Sequence, residues 1–122
     1  MDADRKIAFL TENGVDALTG ISNMMDIDTY NEIMDDFYQG IDEELQKINN
    51  FKNINDMANY SILVHALKSN ARSFGFNKLG EIAYAHELAS KSNDINYVNE
   101  HYNELLDEVL RVKKIIETYK SL

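Results

Sequence analysis

The 122-residue sequence contains no cysteine and no proline. The missing thiol excludes disulfide bonds, thiol catalysis and cysteine-ligated metal sites. The missing proline permits long helices that no pyrrolidine ring interrupts. No apolar run approaches the roughly 20 residues that a membrane-spanning helix needs, and no charged segment followed by an apolar run stands at the N-terminus. We therefore expect a single cytoplasmic domain over residues 1–122, with no membrane as a partner.

Basic residues are also scarce, because 12 Lys and Arg stand against 21 Asp and Glu and give a net charge of −9. Nucleic-acid binding needs clustered Lys and Arg, so a nucleic-acid partner is not expected. The same charge argues against an anionic membrane surface. With 44% hydrophobic residues, the chain is long enough to bury a core without covalent staples.

Apolar residues recur at steps of three and four along most of the chain, which is the period of amphipathic helices. This pattern predicts an all-α protein, an antiparallel up-and-down four-helix bundle with an extra short N-terminal helical segment. Residues 1–25 are predicted to form an N-terminal helical cap, with a helix over 1–13 and a short helical connector over 15–25. Residues 26–122 are predicted to form the bundle.

Capping and loop residues mark the ends of the four long helices. The Asn- and Lys-rich segment 49–55 is predicted to be a loop between antiparallel neighbours. The predicted helices run, in chain order, from Asp26 or Asp28 to residue 48, from Asn55 or Asp56 to Gly75, from an N-cap at Asn77 to about Ser92, and from Ile95 to Tyr119.

A polar and basic stripe lies beside the apolar stripe of the second long helix. It consists of Ser61, His65, Lys68, Ser69 and Arg72. An imidazole with cations at helical spacing is suited to carry a strongly negative group, of which a phosphoryl group is the obvious candidate. Most helical histidines at the edge of an apolar stripe are bystanders, and the spacing alone leaves that alternative open.

Residues 65–79, H-A-L-K-S-N-A-R-S-F-G-F-N-K-L, resemble the signature of histidine phosphotransfer (HPt) domains. That family has His-x-Leu-Lys-Gly, then Gly six residues later and Leu four further on. The residues that match are His65, Leu67, Lys68, Gly75 and Leu79. Ser69 departs from the pattern, because Gly is the commonest family residue there, but a small polar side chain should preserve access to the imidazole.

The resemblance implies that His65 accepts a phosphoryl group from a receiver-domain aspartyl phosphate and passes it to another receiver aspartate. Lys68, and secondarily Arg72, would offset the charge of phosphohistidine. The implied partners are response-regulator receiver domains, with a hybrid sensor histidine kinase as a further candidate, and Mg²⁺ would be held by the receiver.

The chain itself is expected to need no metal and no other cofactor, and to act as a monomeric phosphocarrier. It carries no G-x-x-x-x-G-K-[ST] loop for a nucleotide. We therefore do not expect ATP-dependent kinase activity of its own.

The hairpin between the second and third long helices predicts a partner for His65. If the chain turns at about residue 76, the residues eleven before and eleven after the turn are His65 and Glu87. Each lies one position to the side of its own core stripe, so the two should meet at the rim of the groove. Glu87 is predicted to accept a hydrogen bond from Nδ1–H and to leave Nε2 as the nucleophile. The alternative is a simple surface contact. Glu87 also falls where the HPt family often has an acidic or amide residue.

The expected docking surface for a partner consists of exposed residues around His65, namely Ser61, Ile62, Ser69 and Phe76. Ile62 is the most informative of them, because an exposed aliphatic side chain suits a hydrophobic patch on a partner. Of the other two histidines, His86 lies on an apolar stripe and is predicted to be mostly buried with a hydrogen-bond partner. His101 is predicted to lie at the surface.

Two other functions are weighed against phosphotransfer. The first is a helical adaptor that binds signalling partners without being phosphorylated, and the intact His65, Lys68 and Gly75 count against it. The second is a carboxylate-bridged metal bundle, which would need repeated Glu-x-x-His pairs on facing helices. The sequence contains none.

Overall fold

The computed structural model describes residues 2–122, which form six α-helices and no β-strand. The helices are α1 (Asp2–Glu12), α2 (Ala17–Asn23), α3 (Ile27–Asn53), α4 (Met57–Phe74), α5 (Asn77–Lys91) and α6 (Ile95–Ser121). The predicted all-α class is confirmed. Met1, the first residue of the predicted N-terminal helix, lies outside the described residues. None of the helices between residues 2 and 122 is both long and apolar enough to cross a membrane.

Helices α3 to α6 form the bundle, since each packs against the next and α3 also packs against α6. The connections between them are two or three residues long, so consecutive helices run antiparallel. Each long helix contributes fully buried side chains to the core, including Tyr30, Val64, Leu79 and Val109. Helix α2 packs against α1, α3 and α4, and α1 packs against α2 and α6. The extra N-terminal helical segment that the sequence predicts is therefore present, as two short helices packed against the bundle.

Four of the helices begin at an aspartate that caps the first turn. Each carboxylate accepts a hydrogen bond from the backbone N–H three residues later, which is worth about 1 kcal/mol per cap. The four caps are Asp16, Asp26, Asp56 and Asp94. Of the alternatives that the sequence left open, Asp28 lies inside the first turn of α3, and Asn55 lies in the connection with a φ of 56°.

Two predicted boundaries are wrong. The segment 49–55 is not a loop, because α3 continues through Asn53 and only residues 54–56 connect it to α4. Phe51 packs against the core, and this burial holds the last turns in helical form despite their polar neighbours. Asn77 is not an N-cap but the first residue of α5. The N-cap is Phe76, whose side chain makes no capping hydrogen bond.

Gly75 ends α4 in the left-handed conformation, with a φ of 91°. A Cβ at this position would collide with the backbone carbonyl of Asp16. The two segments are also joined by a hydrogen bond of 2.9 Å from the Asp16 N–H to the Gly75 carbonyl. Gly75 thus determines where α4 ends and where the start of α2 packs against it. Gly40, in the middle of α3, has open space where its Cβ would stand, so the helix tolerates that glycine rather than requiring it.

Candidate functional site

The α4–α5 hairpin places His65 opposite Glu87. Nδ1 of His65 lies 2.7 Å from Oε2 of Glu87, so the contact that the sequence predicts is present. Small buried residues, among them Ala71, Gly80 and Ala83, lie on these two helices and allow them to pack closely. The tight connection at Gly75 and Phe76 sets the register in which the two helices meet.

The two side chains of this pair differ sharply in exposure. His65 exposes 55% of its side chain, whereas Glu87 exposes 2%. The acid is therefore buried beneath an imidazole that faces solvent. The contact is therefore not one between two exposed side chains, because Glu87 is held inside the protein.

Glu87 also binds two ammonium groups. Its Oε1 accepts a hydrogen bond from Nζ of Lys68 at 2.6 Å, and its Oε2 accepts one from Nζ of Lys91 at 2.7 Å. Burial opposes ionisation of Glu87, but the hydrogen bonds from Lys68, Lys91 and His65 outweigh it and lower the pKa to about 2. The carboxylate is therefore ionised at neutral pH.

The charge of Glu87 determines the state of the imidazole. An ionised carboxylate can only accept hydrogen bonds, so Nδ1 of His65 must be the protonated nitrogen that donates to it. Nε2, on the opposite side of the ring, makes no hydrogen bond within residues 2–122. In the neutral ring this nitrogen carries the free lone pair, which is what a nucleophile requires.

The two cations of the predicted basic stripe, Lys68 and Arg72, differ in their contacts. Lys68 exposes only 13% of its side chain and points its ammonium group at Glu87. Arg72 lies two helical turns beyond His65, roughly 10 Å along the axis. Its guanidinium carbon lies 5.2 Å from the centre of the Tyr84 ring, and Nζ of Lys68 lies 5.1 Å from the same ring. Tyr84 thus holds both cations on the α5 side of α4.

Two of the four predicted docking residues are accessible beside His65. Ile62 exposes 63% of its surface, and Ser69 is also exposed. Because they lie three residues before and four residues after His65, all three side chains share one face of α4. This face is open to solvent.

The other two predicted docking residues are buried, and the expectation that they are exposed is wrong. Ser61 is 8% exposed, and its hydroxyl donates to the Ala58 carbonyl at 2.8 Å within α4. Phe76 is 3% exposed, because the tight connection turns its ring onto those of Phe74 and Phe37. Neither side chain can be presented to a partner in this conformation.

His86 is 1% exposed and hydrogen-bonded, as the sequence predicts, and the structure shows a partner on each ring nitrogen. Its Nε2 lies 3.1 Å from the His101 carbonyl, which can only accept, so Nε2 carries the proton. Its Nδ1 then accepts from the Tyr60 hydroxyl at 2.8 Å. Burial lowers the pKa of His86 and keeps the ring neutral. Both nitrogens are occupied, so this imidazole is structural.

His101 exposes 40% of its side chain. Its ring stacks on that of Tyr97 with the centroids 4.1 Å apart. It lies on α6, outside the hairpin that carries His65.

The remaining residues of the motif are part of the core. Leu67 is 5% exposed and Leu79 is fully buried. Together with Gly75 they fix the packing of the α4–α5 hairpin, and all three are buried.

Sequence reasoning missed Lys91 and Tyr84. Lys91 follows Glu87 by four residues, and this spacing places oppositely charged side chains next to each other on a helix. That signal was available in the sequence. Tyr84 precedes Glu87 by three residues and therefore shares its face of α5. Its two cationic neighbours come from α4, and these contacts could be identified only from the structure.

Buried carboxylates in this structure are paired with cations of the protein. Besides Glu87, Glu108 is 4% exposed and binds the guanidinium of Arg111 through both oxygens, at 2.8 and 2.7 Å. Among residues 2–122, no group of three or more His, Asp or Glu side chains is arranged to hold a metal ion.

The sequence matches the family model of the Hpt domain over residues 32–115. The matched segment includes most of α3, all of α4 and α5 with His65 and Glu87, and most of α6. No curated protein and no solved structure matches the chain. Because the match extends over more than half of the sequence and the helical fold agrees with it, the chain belongs to the Hpt domain family of phosphorelay systems.

Proposed function

We propose that this Hpt domain accepts a phosphoryl group on Nε2 of His65 from a receiver-domain aspartyl phosphate and passes it to the aspartate of another receiver. One observation carries the proposal. The imidazole is 55% exposed, and its Nδ1 lies 2.7 Å from the buried carboxylate of Glu87. One nitrogen is anchored while the other faces solvent, as a nucleophilic imidazole requires.

Transfer to His65 replaces the P–O bond of the receiver aspartate by an N–P bond. The lone pair of Nε2 attacks phosphorus, and the N–P bond forms as the P–O bond to the receiver aspartate breaks. The aspartate leaves as a carboxylate with the bonding electron pair. The proton on Nδ1 of His65 stays in place, so the phosphorylated ring is positively charged, and Glu87 stabilises that charge through its hydrogen bond. Transfer to the second receiver reverses these bond changes and restores the neutral ring.

Lys68 acts mainly through Glu87 in this proposal. Its ammonium group lies 2.6 Å from Oε1 and holds the carboxylate in the orientation that the imidazole needs. It also adds positive charge near the site in a protein whose net charge is −9. Arg72 contributes to the same positive region from two turns away.

The partner is a receiver domain, either of a response regulator or of a hybrid sensor histidine kinase. We place its docking contact on the exposed face of α4 around His65, where Ile62 and Ser69 flank the imidazole. Mg²⁺ on the receiver would neutralise phosphoryl oxygens during transfer. The contribution of the Hpt domain is to position a nucleophile across the interface.

Phosphotransfer from a panel of labelled, phosphorylated receivers to the wild type and two variants tests the proposal. The wild type is expected to gain acid-labile, base-stable phosphate, and His65→Gln is expected to gain none. His101→Gln is the matched control, because it removes a partly exposed imidazole outside the α4–α5 hairpin and should accept phosphate normally. Thermal unfolding verifies that His65→Gln folds, as expected for a side chain that is 55% exposed.

Two results would contradict the proposal. Label on the His65→Gln variant would mean that another residue carries the phosphate. A wild type that binds receivers but takes no label from any of them would favour an adaptor that is not phosphorylated.

A further inference from the structure

Lys91 and the candidate nucleophile, His65, contact the same carboxylate oxygen of Glu87. Its ammonium nitrogen and Nδ1 of His65 both lie 2.7 Å from Oε2 of Glu87. The two nitrogens are therefore separated by no more than twice that distance. Lys91 lies outside the motif that the sequence carries around His65, and the chemistry proposed above does not use it.

Two lysines bracket the His65–Glu87 pair. Lys68 lies one turn beyond His65 on α4, and Lys91 lies one turn beyond Glu87 on α5. Because α4 and α5 are antiparallel, the backbone positions of the two lysines lie on opposite sides of the pair along the interhelical groove.

The two lysines differ in how firmly they are held. Lys68 exposes 13% of its side chain, binds Oε1 of Glu87 and lies over the ring of Tyr84. Lys91 exposes 59% of its side chain, and the structure gives it the single hydrogen bond to Oε2. Its flexible four-carbon stem can therefore reorient towards the solvent side of the imidazole.

We propose that Lys91 contacts the phosphoryl group on His65, with its ammonium group donating a hydrogen bond to a phosphoryl oxygen. This inference rests on the proposed function. Lys68 stays on Oε1 of Glu87 and acts as a positioning residue. No covalent bond of Lys91 changes, and its proton stays on Nζ.

The hydrogen bonds of Glu87 explain why Lys91 rather than Lys68 makes this movement. When Lys91 turns away, Oε2 keeps the hydrogen bond from Nδ1 of His65, and Oε1 keeps Lys68. The buried carboxylate then still has a donor on each oxygen. Departure of Lys68 would leave Oε1 without the donor that the structure gives it, which is costly for a buried charge.

The competing interpretation is that Lys91 forms an ordinary helical ion pair with Glu87 and never contacts phosphate. Three variants separate the two interpretations. Lys91→Met removes the charge but keeps much of the stem, and Lys91→Arg restores the charge. Lys114→Met is the matched control, because it removes one exposed lysine from α6.

The first measurement is the rate at which phosphoramidate phosphorylates His65, since a small donor needs no docking surface. We expect Lys91→Met to react about fivefold more slowly than the wild type, which is the effect of one favourable exposed ion pair. Lys91→Arg and Lys114→Met should react at nearly the wild-type rate. The second measurement is the pH titration of the phosphohistidine resonance by ³¹P NMR. Loss of an ammonium group that favours the dianion should move the midpoint to higher pH in Lys91→Met alone.

A purely structural lysine would change the unfolding free energy without moving the ³¹P midpoint. The inference is overturned if Lys91→Met matches Lys114→Met in both measurements, or if Lys91→Arg fails to restore them. It is also overturned if phosphoramidate leaves wild-type His65 unmodified. A wild type that reacts with phosphoramidate but with no receiver would refute the proposed function, while the variants would still decide the role of Lys91.

Discussion

Replacing Glu87 by Gln should destabilise the protein in a way that depends on pH. The substitution keeps the size of the side chain and an oxygen that can accept from Nδ1 of His65, but it removes the negative charge. Lys68 and Lys91 then face a neutral amide instead of a carboxylate. The free energy of unfolding should therefore fall at neutral pH.

The magnitude follows from the pKa of Glu87. Folding lowers this pKa from 4.5 to about 2, because the hydrogen bonds from Lys68, Lys91 and His65 outweigh the cost of burial. Each unit is worth 1.36 kcal/mol, so ionised Glu87 contributes roughly 3 kcal/mol at neutral pH. Since the folded pKa lies below the unfolded one, this contribution is complete above about pH 5 and disappears as the pH falls towards 2.

Urea denaturation of the wild type and Glu87→Gln between pH 7 and pH 3 measures this contribution. We expect a difference of roughly 3 kcal/mol at pH 7, which shrinks by roughly 2 kcal/mol by pH 3. Glu81→Gln is the control, because it removes an exposed carboxylate from the same helix and should change stability by less than about 0.5 kcal/mol. A difference that stays constant across this range, or a variant as stable as the wild type at pH 7, would show that ionised Glu87 does not stabilise the fold in this way.

Two further predictions concern the fold and are also measured by urea denaturation. Gly75→Ala should lower the free energy of unfolding by about 3 kcal/mol, because its φ is 91° and a Cβ would strike the Asp16 carbonyl. Gly40→Ala should raise the free energy of unfolding by about 1 kcal/mol, because open space surrounds the position of the added Cβ. Equal stability of these two variants would contradict the packing described. Tyr60→Phe should cost about 1–3 kcal/mol by leaving Nδ1 of the buried His86 without its donor. A neutral effect would mean that the ring nitrogen finds another partner.

The register of the α4–α5 hairpin could be predicted from the sequence for a specific reason. A glycine in the left-handed conformation ends one helix, and the next helix starts two residues later. With so short a connection, residues at equal distances from the turn face each other. Counting outward from the turn therefore pairs His65 with Glu87 from the sequence alone, and the two side chains are in contact in the structure.

Exposure near element ends could not be predicted in the same way. Phe51 lies among polar residues that favour a loop, yet its contact with the core extends α3 through Asn53. Phe76 follows the αL glycine, where an exposed side chain is a reasonable expectation, yet its ring joins the core. Ser61 lies on the polar stripe but faces the packed side of α4. In each case tertiary packing decided the outcome, and local sequence does not encode it.

The contacts that the cations of the site make could also not be predicted from the sequence. The sequence places Lys68 one turn from His65, and the family resemblance implies that it offsets the charge of phosphohistidine. In the unphosphorylated protein its ammonium group binds the buried Glu87. A Lys68→Glu substitution would set two carboxylates against each other, so its effect on transfer could not be separated from its effect on folding.

The most direct test of the central claim is the long-range ¹H–¹⁵N spectrum of the histidine side chains, recorded before and after phosphorylation by a receiver. We predict that His65 carries its proton on Nδ1 in the free protein, held there by Glu87, and that the phosphoryl group then appears on Nε2 of the same ring. A free protein with the proton on Nε2 of His65, or a phosphoryl group on Nδ1 or on another histidine, would contradict this prediction.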